Sequence, residues 1–216
     1  MARVSITFAV LTLVFLTSLH ILSPEYDPSW RMVSEYAHGN YSWLLSLMFF
    51  SWALSTWTLA AAIRRNFKAV GKTGLVFLVV AGIGEAMAAF FDIDSPLHDL
   101  AGLLGVLGLP VAALLISINL SRTEQWAPAK KLLLLTAHLT WISILLLVAS
   151  MVFMYISFTH SGAKISGNVT QLPPGVIGVD GWADRLLIVM YCLWGIVVAL
   201  KAVRLQQTQA KMPALV

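Results

Sequence analysis

An all-α bundle of six transmembrane helices is the fold class this sequence predicts, and three observations predict it. Of 216 residues, 59% are apolar and only 11% are charged, whereas a soluble domain carries about 25% charged residues to hydrate its surface. The apolar residues gather into six runs, each long enough to cross a bilayer, which takes roughly 20 helical residues. The basic side chains fall in small clusters between those runs, which is a topology signal rather than a nucleic-acid surface. No nucleic-acid partner is therefore expected from the net charge of +4. The single cysteine, Cys192, lies inside an apolar run. It excludes an intramolecular disulfide, a CxxC redox pair and a thiolate zinc site.

The predicted spans lie near 4–22, 41–63, 73–91, 98–120, 131–157 and 182–203. The first follows only Arg3 and precedes no small-residue cleavage motif, so it reads as an uncleaved helix rather than a secretory signal. Residues 23–40 then hold two prolines and an amphipathic stretch, Trp30 to Tyr36, suited to the membrane interface. The second span ends on Arg64 and Arg65, and the third carries Glu85 between small residues. Ser95 and Pro96 give the fourth an N-cap followed by proline at the first helical position. Pro110 inside that span predicts a kink, with a neighbouring group satisfying the carbonyl it frees. In the fifth span, His138 reads as a hydrogen-bonded interior residue. Residues 158–181 are too long for a simple turn and read as a lid, a binding segment or disorder. The sixth span opens with Trp182, Asp184 and Arg185, and the tail QQTQAKMPALV reads as a disordered end. Neither a repeat nor a linker divides the chain, so residues 1–216 are expected to form one domain.

Eleven of the fourteen basic residues, among them Arg3, Arg64, Arg65, Lys68, Lys72, Lys130, Lys131 and Lys211, share one side of this threading, leaving Arg31, Lys164 and Arg185 on the other. Positive residues favour the cytoplasm, so both termini are expected there, in a bacterial cytoplasmic membrane. Eight of the ten acidic residues (Glu25, Asp27, Glu35, Asp92, Asp94, Asp99, Asp180 and Asp184) fall on the opposite, outer side. Acids are not needed to set topology, so that concentration suggests something placed there.

The densest constellation is FFDIDSPLHDLAG, residues 90–102. Asp94 and His98 are close enough in sequence to meet across the helix cap, where a carboxylate accepting a ring N–H would serve a general base or a metal site. These two are the candidate ligands for zinc or another divalent ion, and with Glu85 the candidate catalytic groups. Asp92 and Asp99 read more simply as acids favoured by the helix dipole. A carboxylate at the depth of Glu85 is expensive and should face the bundle interior with a partner or a proton. Arg185 is suited to gripping a phosphate or carboxylate head group, or to pairing with Glu35. Together Glu35, Glu85, Asp94, His98 and Arg185 are expected to line a polar pocket open to the outer face. No lysine lies in the interior of a span, so a retinal Schiff base has no attachment point. Haem has only His20 and His98 to recommend it, and is disfavoured. His160, in the loop, carries little. The sequons at Asn40 and Asn168 matter only in a eukaryotic secretory setting.

Three segments, SEYAHGNYSWLLSLMFFSWALSTWTLAAAIRR, GIGEAMAAFFDIDSPLHDLAGLLGVLGLPVAALLI and GWADRLLIVMYCLW, resemble in order the family called "domain of unknown function 998". The likeness covers nearly the whole chain. It is most specific at Ser34-Glu35-Tyr36, at the Phe-x-x-Asp turn ending on Asp94, at His98, and at Arg185 with Trp194. It implies a six-helix prokaryotic membrane protein and no particular activity. The expected function is binding or transport of a lipid or small amphipathic molecule. The alternatives are an outer-leaflet lipid-modifying enzyme and a non-catalytic partner in a membrane complex, or a homo-oligomer.

Overall fold

The computed structural model describes residues 1–67, 72–163 and 171–211, and among these no strand occurs. Among the described residues seven α-helices run in order: α1 (Ala2–Leu22), α2 (Ser42–Ile63), α3 (Thr73–Phe90), α4 (Pro96–Gly102), α5 (Gly108–Ser121), α6 (Lys130–Ser161) and α7 (Asp180–Lys211). A π-helical turn, Leu103–Leu107, joins α4 to α5, so the two form one continuous span. Six helical segments are thus long and apolar enough to cross a membrane, as the composition predicts. The chain is a multi-pass membrane protein.

Each boundary has a local cause. The Ser95 hydroxyl accepts the Leu97 N–H and Pro96 holds the first helical position, which starts α4 as expected. Gly162 ends α6 in a left-handed conformation at φ +66°. The expected disordered tail is corrected over 206–211, where α7 continues to Lys211 because Gln206, Gln207, Gln209, Ala210 and Lys211 are good helix formers, while 212–216 lie outside the described residues. The helices pack in a ring, α1 on α2, α2 on α3, α3 on α5, α5 on α6, α6 on α7 and α7 back on α1, with α2 and α7 also touching across the middle.

Lipid tails are as apolar as leucine, so the ring is held by close packing and hydrogen bonds rather than by expulsion of water. Gly84 permits the tightest approach, since a Cβ there would collide with the backbone of Gly105 and Ala101. The Ser55 hydroxyl donates to the Ser5 carbonyl at 2.9 Å, joining α2 to α1, and the Trp194 indole donates to Ser117 at 3.0 Å, joining α7 to α5.

The connections 23–41 and 92–95 lie at one end of the bundle with the start of α7; we call it the acidic end. Residues 64–67, Lys72 and the connection 122–129 lie at the other, the basic end. The stretch expected to lie flat in the interface instead turns inward. Its 3₁₀ helix, Val33–His38, buries Val33 and Tyr36, because the N–H of Val33 is drawn to the Asp184 carboxylate at 2.8 Å. His138 is also corrected, standing exposed on the outward face of α6. Lys68, Lys164 and Asn168 fall outside the described residues.

Candidate functional site

At the acidic end the first turn of α7 meets the loop that follows α1. The Ser29 carbonyl accepts the Gly181 N–H at 3.1 Å, supplying a free helix N–H with its partner. Only glycine fits at position 181, because a Cβ would come within 2.5 and 2.6 Å of the Pro28 and Arg31 carbonyl oxygens. One turn on, Arg185 is 4% exposed. Its Nη1 donates to the Arg31 carbonyl at 2.7 Å and the Gly181 carbonyl at 2.8 Å, and its Nη2 to the Tyr36 hydroxyl at 3.0 Å. Its Nε donates to His20 Nε2. An imidazole whose Nε2 accepts is neutral. The expected ion pair with Glu35 does not form: Glu35 instead accepts from Arg31 and reaches back to the Met32 N–H at 2.8 Å. Four-residue spacing brings Arg31 and Glu35 together locally, whereas the carbonyls already enclosing Arg185 leave Glu35 no place on it.

Asp94 and His98 likewise go to different partners. Asp94 meets His38 at 2.9 Å, both side chains largely exposed. His98 Nδ1 donates to the Phe91 carbonyl at 3.0 Å. That carbonyl ends α3 without a helical partner, which is why it captures the ring. The neutral ring then keeps Nε2 as its acceptor. Among the described residues, no three His, Cys, Asp or Glu side chains are grouped to hold an ion. At the loop tip, the backbone N–H and hydroxyl of Ser29 bond to Asp27 at 2.9 and 2.7 Å and hold its carboxyl below the usual range. Partial burial and the charge of Glu25 push the Tyr26 phenol up.

Glu85 lies about two-thirds of the way along α3, 3% exposed, with no well-formed hydrogen bond to either oxygen and the Thr56 hydroxyl close enough to interact with it. Tyr191 and Cys192 approach it from α7. Opposite is the π-helical turn. Four residues after Val106 comes Pro110, which has no N–H, and the Val106 carbonyl accepts the Tyr191 hydroxyl instead, at 2.7 Å. The expected rescue of the proline-freed carbonyl therefore comes from α7.

Two clefts open at the acidic end. The larger, about 340 Å³, lies between α6, the 23–41 connection and residues 172–176. Trp30, Met32, Met151, Met154, Tyr155 and Phe158 form its walls, with Glu35 and Asp180 at the edge. Asp180 is 1% exposed and its Oδ1 has no hydrogen-bond partner. The smaller, about 180 Å³, runs beneath the 3₁₀ helix between α2, α3, α4, α6 and α7, with Ser34, His98 and Asp184 as its polar members.

A family model described as "Protein of unknown function (DUF998)" matches residues 6–201. The chain belongs to the DUF998 family. No curated protein and no solved structure matches it. The matched region contains every residue of the clefts, so this DUF998 chain carries them within its family core. The five residues expected to share one pocket are dispersed: Glu35 edges the larger cleft, His98 the smaller, Asp94 faces outward, and Glu85 and Arg185 are enclosed. Sequence reasoning missed His20 and Tyr36 as the partners of Arg185, and Asp180 as the buried acid of the larger cleft. The methionines at 151 and 154 carried a signal, being one helical turn apart and so on one face.

Proposed function

We propose that this protein binds an amphipathic molecule from the membrane in the larger cleft at the acidic end, and that its ligands carry an apolar chain and a cationic or donor-rich head. The observation that carries this reading is the cleft itself. Its volume of about 340 Å³ suits a small ligand, its walls are aromatic and methionine side chains, and its lining includes the Asp180 carboxylate, whose Oδ1 has no hydrogen-bond partner. Methionine adapts to chains of varied shape, and aromatic faces with carboxylates favour an ammonium. Arg185 is the less suitable head-group anchor, since acceptors already occupy four of its five N–H donors. The distribution of basic residues supports an outward-facing acidic end in a bacterial cytoplasmic membrane, so the ligand would come from the outer leaflet or beyond it.

Photolabelling tests the proposal. A long-chain alkylammonium bearing a diazirine should label Met151, Met154 and Tyr155, and Met154→Trp, which fills the cleft, should abolish that label. An alkyl sulfate of equal chain length should not label there. Labelling spread evenly around the lipid-facing helices, or equal for both probes, would overturn it.

A further inference from the structure

We propose that Glu85 is a proton-exchange site inside the membrane, reached from the acidic end through the smaller cleft. Three observations converge on it. First, the carboxyl is enclosed within the span, and neither oxygen holds a well-formed hydrogen bond, the Thr56 hydroxyl being the polar group that meets it. A carboxyl so placed is expensive in its charged form, and any proton it exchanges must travel along a path. Second, the smaller cleft comes within one helical turn of it. Ala88 lines that cleft one turn along α3 from Glu85 and therefore on the same face. Val106, also in the lining, is joined to Tyr191, which lies near enough to Glu85 to feel its charge. A Cβ on Gly105 would make ordinary contact with Glu85 Cγ at 3.8 Å, so the π-helical turn runs beside the side chain. Such turns recur at functional sites.

Third, the cleft carries groups able to pass a proton between bulk and carboxyl. His98 keeps an acceptor nitrogen while its Nδ1 is fixed on Phe91, and Asp184 and Ser34 stand with it. Around Glu85 itself the facing groups are Thr56 from α2 and Tyr191 and Cys192 from α7. The Tyr191 hydroxyl is spent on Val106 and donates nothing to the carboxylate. Thr56 is thus the one hydroxyl beside Glu85 with no other assigned bond, suited to follow the carboxyl between its two states. This site stands apart from the amphiphile cleft, and neither depends on the other.

The test uses the intact protein in vesicles. A membrane-soluble carbodiimide reacts with a protonated carboxyl in apolar surroundings. The acid adds across one C=N bond, its proton going to nitrogen and its oxygen to carbon. Acyl migration from oxygen to nitrogen then leaves an N-acylurea carrying the whole reagent. We expect mass spectrometry to find that adduct on Glu85 and not on exposed Asp92, Asp94 or Asp99. In D₂O, the infrared C=O band of the Glu85 carboxyl, identified by its loss in Glu85→Gln, should shift without unfolding. Ala88→Phe, which obstructs the cleft, should slow the shift severalfold, and His98→Leu should slow it less. No adduct on Glu85, or a band that shifts only when the protein unfolds, would overturn the proposal. The labelling needs no variant, so it decides even if Glu85→Gln fails to fold.

Discussion

Arg185 and Glu85 are both charged-type side chains enclosed in a membrane protein, and the chain treats them in opposite ways. Arg185 stands near the end of its span, within reach of polar loop backbone. Two carbonyls, a phenol and an imidazole surround it. Glu85 stands mid-helix, where neighbouring carbonyls are committed to helical bonds and cannot donate in any case. Its surroundings are Thr56, Tyr191, Cys192 and the glycines of α3 and the π-helical turn. The difference teaches how to read an intramembrane charge: a satisfied one ties elements together, while an unsatisfied one is retained for something other than stability. Removing Arg185 should therefore dismantle the acidic end, and removing the Glu85 charge should leave the fold intact.

The largest expected effect breaks that comparison if it fails. Arg185→Leu strands the Arg31 carbonyl, the Tyr36 hydroxyl and His20 Nε2 together, and each buried acceptor left unsatisfied costs about 1–3 kcal/mol. Glu85→Leu strands nothing and removes the expense of an enclosed carboxyl, so its stability should be equal to or above that of the parent. Thermal unfolding in detergent should place the two variants on opposite sides of the parent. A stable Arg185→Leu would mean that the guanidinium is held for a ligand rather than for the fold.

How much of this was legible follows from the same contrast. Length and apolarity determine the spans, because a bilayer demands a fixed helical length, and five of the six predicted spans end within a few residues of the helices found. The sixth ran on because Gln and Ala continue a helix as readily outside a membrane as within it. Glu85 was legible as an enclosed acid, since depth in a span forces that reading. The partners of Arg185 were not, because three of the four lie more than 140 positions away in sequence and two are backbone carbonyls that any residue would supply. Asp94 and His98 misled for the converse reason. Proximity along the chain suggested a pair, but the unpartnered Phe91 carbonyl took one ring and His38 the other acid.

A middle-sized effect sharpens the Glu85 side. If the enclosed acid is the exception, its surroundings should otherwise be satisfied, and the Tyr191 hydroxyl on Val106 is the clearest instance. Tyr191→Phe leaves that carbonyl without the donor that replaces the missing Pro110 N–H. The loss should be about 1–3 kcal/mol, read by thermal unfolding, and amide exchange should quicken in residues 103–108 before it does elsewhere. An unchanged variant would show that the π-helical turn accommodates Pro110 without help from α7.

The smallest effect lies on the Arg185 side, at the loop tip outside the membrane. Asp27 is exposed, and the Ser29 N–H and hydroxyl hold its carboxyl below the ordinary value of 3.8, with Arg185 adding a lesser attraction. A carboxyl depressed on folding stabilises the native chain wherever the unfolded chain binds more protons. That contribution is complete above the unfolded value and is lost as pH falls through the lower folded one. Between about pH 5 and about pH 3 the parent should therefore lose slightly more stability than Asp27→Asn, which has nothing to titrate. Ser29→Ala, which removes the hydroxyl bond but keeps the stronger backbone one, should move the Asp27 midpoint only part of the way back, as followed by NMR titration of the loop. Full return to the ordinary value in Ser29→Ala would mean that the loop loses its turn along with the hydroxyl, and that the Ser29 carbonyl no longer meets Gly181 at the start of α7. In that event the Arg185 cluster would depend on this loop tip as well as on its own four acceptors.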